Sequence, residues 1–206
     1  MSFKSLLGVP TLYRAFDHIV GRFGLARTSL FSRYLPYTPG IKVLDLGCGP
    51  GTSAHYFNSR DYIGIDIDQK YILAASEKLP SYRFLHTDFL ALEKNYIPES
   101  GFDLILAMGV FHHLPDDLLK KYLNMARNIL SSKGILLSLD GCTYQSQPYW
   151  HKKVVLNDRG QYIRDRDSLV SLIEGEGFSC NDSVEENVLL IPHSMLVISS
   201  VVDSTR

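Results

Sequence analysis

The stretch Val43-Leu44-Asp45-Leu46-Gly47-Cys48-Gly49-Pro50-Gly51 constrains the fold of this 206-residue chain more than any other. An apolar run of strand length enters a turn with three glycines in five residues. Near-continuous apolar character is what a strand buried on both faces requires, and such strands belong to parallel sheets covered by helices. Glycine lets the backbone pass close to a ligand and take positive φ. The amides of a following helix would then offer donors to a bound group. Nucleotide and dinucleotide sites use the same kind of turn, so its neighbours must discriminate.

Strand and helix alternate through the core segment, residues 41–141. Residues 51–59 read as a short helix, 61–68 as a second strand, 69–79 as a helix stopped by Pro80, and 82–88 as a third strand. Residues 101–110 form a fourth strand, Pro115 and Asp116 open a helix to about Leu130, and Gly134 starts a fifth strand running through Asp140. This alternation predicts a doubly wound α/β sheet with helices on both faces. Residues 142–165 break it with an aromatic insert holding Tyr144, Tyr149, Trp150, His151 and Tyr162. In the closing segment, 166–206, a helix is expected over Asp167–Gly175. Strands around Val184–Leu190 and Ser194–Val201 then follow as an antiparallel hairpin at the sheet edge.

Residues 1–40 hold Lys4, Arg14, Arg22, Arg27 and Arg33 against one acid, Asp17. Their apolar spacing predicts two short amphipathic helices broken near Gly21–Gly24. Such an arm reads either as a basic solvated face or as a lid over an anionic substrate. At this length the four segments are expected to form one domain.

Three acids separate the candidate ligands. The dinucleotide fingerprint would place glycine or alanine where Thr52 stands, and no Gly-Lys-Ser/Thr follows to make a P-loop. Asp45 lies inside the strand, poorly placed for a pyrophosphate and well placed for an ammonium group; it could equally hold the turn through backbone amides. Asp66, twenty-one residues further on, ends the next strand where a carboxylate can accept from both ribose hydroxyls. Ile67 would press on an adenine face. Asp88 ends the third strand, where it could accept from the adenine amino group or cap the next segment, and Phe89 offers further apolar contact. Asp68 reads as a turn residue and Cys48 as a small spacer within the glycine turn. Three strand-end acids facing donor-bearing parts of one ligand describe an aminoacyl-adenosine compound better than a phosphorylated one.

In order and spacing, DLGCGPG, GIDID, the strand-end TD and FDLILAMGVFHHLPD resemble the motif series of class I S-adenosylmethionine-dependent methyltransferases. SSKGILLSLD is similar to the family's passage from helix to fifth strand, and the likeness covers about residues 40–141. It implies a Rossmann-like sheet of seven strands, the last antiparallel, and S-adenosyl-L-methionine as cofactor with S-adenosyl-L-homocysteine as product. It also implies Gly47, Cys48 and Gly49 beside the methionine portion, Asp66 on the ribose, Asp88 near the adenine and Met108 beside the cofactor. Enzymes similar to those of quinone and polyketide tailoring are the nearest in appearance.

Methyl transfer asks the protein to align a nucleophile and, where needed, remove its proton. His112 and His113, after the fourth strand, are the candidates for a general base; one of them could instead pack on the cofactor or the turn. Tyr144, Tyr149, His151 and Tyr162 could shape the acceptor pocket or simply cover the sheet edge. Arg14, with its neighbours in the arm, could meet an anionic acceptor. The expected reaction is O-methylation of a small-molecule or glycan-like acceptor.

Methylation of a protein or RNA, and a cofactor-binding scaffold without catalysis, are the rival readings. A net charge of −1 speaks against nucleic acid as a partner, and GVFHH stands where an amine-methylating signature would be expected. Adjacent histidines without metal-ligand spacing exclude a zinc pair, so no metal is expected. Three scattered cysteines suit a reducing compartment, and the most apolar stretch is too short and too interrupted for an integral membrane helix. A cytoplasmic location is expected; the sequence does not identify an oligomeric state.

Overall fold

The computed structural model describes residues 25–35, 40–157, 160–185 and 195–202. Helix α1 covers Leu25–Tyr34 and strand β1 Val43–Leu46. Strand β2 (Tyr62–Asp66), helix α2 (Gln69–Lys78), strand β3 (Arg83–His86) and strand β4 (Phe102–Met108) follow. Helix α3 (Asp116–Ile129) runs directly into β5 (Leu130–Gly141). The chain continues as α4 (Tyr149–Leu156), α5 (Arg166–Gly175), β6 (Phe178–Glu185) and β7 (Met195–Val202).

Strands β3, β2, β1, β4 and β5 lie side by side in that order and are mutually parallel. Strand β7 pairs antiparallel with β5, matching Ser138 with Ile198, and β6 pairs antiparallel with β7 beyond it. All four residues of β1 are buried, as its apolar run requires for the middle of a covered sheet. One face carries Leu44, Leu46, Ile105 and Leu136 beneath α3 and α5. Helix α3 turns Leu119, Tyr122, Leu123, Ala126 and Ile129 inward, at the three- and four-residue spacing of one helical face. The opposite face carries Val43, Tyr62, Leu104, Leu106, Leu137 and Leu139 beneath Leu30 and Phe31 of α1.

Four local expectations change. Residues 51–59 form no α-helix; a single 3₁₀ turn, Ala54–Tyr56, is all that fits before β2 begins. Strand β5 starts at Leu130 rather than Gly134, because its pairing with β4 slips between Phe102 and Leu104. The backbones meet closely there: a Cβ on Gly134 would lie 2.6 Å from the Phe102 carbonyl oxygen. Strand β6 begins at Phe178, six residues before the strand expected around Val184–Leu190, and shares Val184 and Glu185 with it; residues 186–190 lie outside the described residues. Inside the aromatic insert, Pro148 opens the eight-residue helix α4. Of the two expected N-terminal helices the second is α1; the first, with Arg14, lies outside the described residues.

Candidate active site

The strand ends of β1, β2 and β4 converge on the glycine turn. Gly47, Gly49 and Gly51 all take positive φ, at 65°, 53° and 75°. A Cβ on Gly47 would stand 2.8 Å from Val110 Cγ2, so the turn passes against the segment after β4 with no room for a side chain. Cys48 is buried within it. Burial, followed by the charges of Asp45 and Asp66, pushes its thiol well above the ordinary cysteine range. Held protonated, Cys48 is a spacer and not a nucleophile.

Asp66 ties this turn to its own strand end. Its Oδ2 accepts from the Gly49 amide at 2.9 Å and its Oδ1 from the Asp68 amide at 2.8 Å. Desolvation nonetheless raises its pKa above the usual aspartate value, outweighing these amides. A carboxylate offers about four acceptor sites, so these amides do not exhaust it. Next to it Ile67 is 71% exposed, an apolar side chain standing in solvent at the strand tip. Asp68 caps α2 by accepting from the Lys70 amide, the turn role expected of it.

Asp45 is buried, and its Oδ2 accepts from the Tyr62 hydroxyl at 2.6 Å. Asp88 is exposed. One of its oxygens accepts from the Leu90 amide at 2.8 Å, and the other accepts from the Tyr122 hydroxyl at 3.0 Å. Burial and this bond raise the Tyr122 pKa, so the hydroxyl stays a donor. The expectation for Phe89 is corrected. Its ring is 1% exposed in the main core, edge-on to Tyr122 at 5.2 Å, and has no surface to offer a ligand. Leu90 is the exposed apolar residue of that turn.

Met108, half-buried, leads into the 3₁₀ turn Phe111–His113. The two histidines part company there. His113 is exposed, whereas His112 is buried and its Nδ1 lies 2.6 Å from Asp140 Oδ1. The carboxylate can only accept, so Nδ1 carries the proton. The same oxygen also accepts from the His112 amide at 3.2 Å. Sequence reasoning missed Asp140 because the pair joins residues on different strand ends, twenty-eight positions apart. Gly160 presses on the His112 ring, where a Cβ would meet Cδ2 at once.

Beyond β5 the insert folds back over this turn. Thr143 donates its amide to the Arg164 carbonyl and accepts from the Arg166 amide, Tyr162 donates its amide to the His112 carbonyl, and the Arg164 side chain fastens the return. The Arg164 guanidinium donates to Asp116 and to the carbonyls of Phe111, Leu114 and Tyr162. Helix α4 packs inward through Val155, which a Cβ on Gly141 would touch at 3.5 Å. Its outer face leaves Tyr149 81% exposed, with Trp150 and Leu156 exposed as well; Tyr162 is exposed on the returning segment. Tyr144 and His151 are half-buried.

Among the described residues five buried side-chain atoms have no hydrogen-bond partner: Ser138 Oγ, Asp140 Oδ2, Tyr144 OH, Gln147 Oε1 and His151 Nδ1. Each such group costs about 1–3 kcal/mol when its water is not replaced. All five fall between residues 138 and 151.

A covered parallel sheet with a glycine turn at one strand end and an acid at the next defines a Rossmann-like nucleoside-binding domain. Residues 43–134 match the family described as "Methyltransferase domain". Trans-aconitate 2-methyltransferase of Rhodopseudomonas palustris (strain HaA2) is 33% identical over 106 residues, 50% of this chain and 39% of that protein. Phosphoethanolamine N-methyltransferase 1 of Zea mays is 28% identical over 171 residues, 79% of this chain and 33% of that protein. The chain thus spans between a third and two-fifths of the length of these curated relatives.

Two solved structures share the fold. Haemonchus contortus phosphoethanolamine N-methyltransferase 2 in complex with S-adenosyl-L-methionine superposes with a TM-score of 0.73 at 16% identity, covering 98% of this chain and 60% of that one. A TehB-like SAM-dependent methyltransferase from Corynebacterium glutamicum gives 0.61 at 22% identity, over 86% of each chain. Residues 43–134 thus match a methyltransferase domain, and the Haemonchus contortus neighbour was solved with S-adenosyl-L-methionine bound. The residues present fit it. Asp66 keeps acceptor capacity for hydroxyls, and Ile67 offers the apolar surface an adenine would cover.

Proposed function

We propose that this protein transfers a methyl group from S-adenosyl-L-methionine to a small-molecule acceptor, by O-methylation. The observation that carries this reading is the Asp66 carboxylate, bonded at once to the glycine turn and to the tip of β2. That fixes an acceptor of hydrogen bonds where a ribose would present two hydroxyls. In this reading Gly47, Cys48 and Gly49 run beside the methionine portion, Asp45 bears on its ammonium group, and Met108 borders it. Ile67 covers the adenine, and Asp88 accepts from its amino group. The bound sulfonium supplies an activated methyl group, which leaves the protein to align the acceptor and take its proton.

His113, exposed beside the His112–Asp140 pair, is the proposed general base. His112 sets the position of that turn through Asp140, and the two rings lie 4.1 Å apart. The insert, with Tyr144, Tyr149, His151 and Tyr162, is the proposed acceptor side. The basic arm, Arg14 included, would act as a lid favouring an acceptor with some negative charge. The relatives named for trans-aconitate and phosphoethanolamine support a small acceptor over a protein or RNA.

Titration calorimetry with S-adenosyl-L-homocysteine tests the cofactor half of this proposal: saturable binding is expected at micromolar to millimolar concentration, and no binding would overturn it. Methyl transfer from labelled S-adenosyl-L-methionine into small-molecule pools tests the other half. Binding with no transfer to any pool would favour a non-catalytic scaffold.

A further inference from the structure

The five unpartnered polar atoms differ from a random scatter in two respects. Their confinement to residues 138–151 puts them all between the end of β5 and the first turn of α4. Native proteins pair nearly all buried polar groups, so a concentration in one short stretch calls for a ligand that completes them. Ser138 and Asp140, each 1% exposed, occupy alternate positions of one strand and so share a face of β5. Tyr144 and Gln147 are joined by a backbone bond, and the Gln147 amide nitrogen donates to the Cys142 carbonyl. His151 lies in the first turn of α4, four residues before Val155 and so on the side that packs inward.

Their chemistry has a sign. Asp140 Oδ2 is a carboxylate oxygen and accepts only. Gln147, its nitrogen engaged, presents its oxygen and likewise accepts. Tyr144, Ser138 and His151 can donate or accept. No lysine or arginine belongs to the set. A carboxylate or phosphate would meet two acceptor oxygens and no fixed positive charge there.

We infer that the segment from Ser138 to His151 is a subsite for an uncharged, donor-rich part of the methyl acceptor, a polyhydroxyl group. Asp140 and Gln147 accept from its hydroxyls, and Tyr144, Ser138 and His151 adapt to the rest. The inference rests on the methyl-transfer reading above and makes it more specific. Any anionic part of the acceptor must lie elsewhere, on the side of the basic arm.

Two measurements on the full chain test this. First, Tyr144→Phe and Ser138→Ala remove hydroxyls without internal partners, so thermal unfolding should stay at or above the wild-type temperature. A fall of several degrees in both would mean that the protein itself uses those atoms, and would overturn the subsite. Second, transfer from labelled S-adenosyl-L-methionine is compared across myo-inositol, ethanolamine and citrate as probes. Labelling of myo-inositol at least tenfold above citrate is expected. It should drop at least tenfold in the two variants, while their affinity for S-adenosyl-L-homocysteine is unchanged. Preference for citrate, or no labelling of any probe by protein that binds S-adenosyl-L-homocysteine, counts against the subsite. Preference for ethanolamine would replace hydroxyls by an ammonium group and overturn the polyhydroxyl assignment. Failure to bind S-adenosyl-L-homocysteine would sink the methyl-transfer reading itself, and the unfolding measurement would still judge the pocket.

Discussion

The two ends of the candidate site solve opposite problems. At the glycine turn the strand-end acids are engaged by the protein itself: Asp66 by two amides, Asp88 by an amide and a hydroxyl, Asp45 by Tyr62. Around β5 and the insert, five buried polar atoms wait without partners. The first end is organised before any ligand arrives, so little ordering cost falls on the cofactor. The second spends folding stability on groups whose return comes only on binding. A common cofactor and a particular acceptor would be expected to divide one site in this manner.

The largest effect should fall on the acceptor side. His113→Ala is expected to slow turnover about 100-fold or more, the lower end of what general-base catalysis contributes. Affinity for S-adenosyl-L-homocysteine should hold, and single-turnover kinetics with calorimetry separate the two. If affinity collapses instead, His113 belongs to the cofactor end and the division fails. Asp66→Ala should do the reverse, weakening S-adenosyl-L-homocysteine by about 1.5–3 kcal/mol, the scale of a hydrogen bond to a charged group. Unchanged affinity would place the ribose elsewhere.

Acidification sharpens the contrast further. Asp66 has a raised pKa, so the folded chain binds its proton more readily than the unfolded chain does. Between the ordinary aspartate value and the raised one, this group makes stability fall as pH rises. Cofactor affinity should run the other way, weakening as pH drops through the raised value, since the protonated acid is a poorer acceptor. Asp66→Asn should abolish both trends in pH-resolved unfolding and calorimetry. Asp165 caps α5 through the Ser168 amide and hydroxyl, and those bonds lower its pKa. Its contribution is full above the ordinary aspartate value and is lost as pH falls through the lowered one. Asp165→Ala should cost about 0.5–2 kcal/mol of stability at neutral pH, as loss of a helix cap does. Neither cofactor affinity nor turnover should change by more than a factor of two or so; a larger shift would tie α5 to the site.

What could be read from the sequence follows the same division. The five parallel strands and helices α2 and α3 announce themselves through apolar runs, Pro80, Pro115 and the glycines. Each of those signals is local. The acids at 45, 66 and 88 are visible because strand ends can be counted. The His112–Asp140 pair was not visible, since only the assembled sheet brings β5 beside the turn after β4. Phe89 looked like a ligand contact because it follows Asp88, yet the 3₁₀ turn that Asp88 caps points the ring inward. Helix α4 escaped notice because Tyr149, Trp150 and Leu156 face outward, against the usual pattern of an amphipathic helix. Pro148, just before it, was the available signal. After the glycine turn the strand–helix alternation predicts a helix over 51–59; ten residues between Gly51 and Tyr62 hold one 3₁₀ turn instead.

Arg164 has a consequence for anyone who would re-engineer the acceptor side. Its guanidinium holds the tail of the insert to Asp116 and to three carbonyls, two of them in the turn that bears the histidines. Insert and histidine turn are thus a single transplantable cassette with its own fastening. A graft of residues 142–163 alone would arrive without its buckle. One that carries Arg164 into a host with an acid at the position of Asp116 would bring its alignment with it.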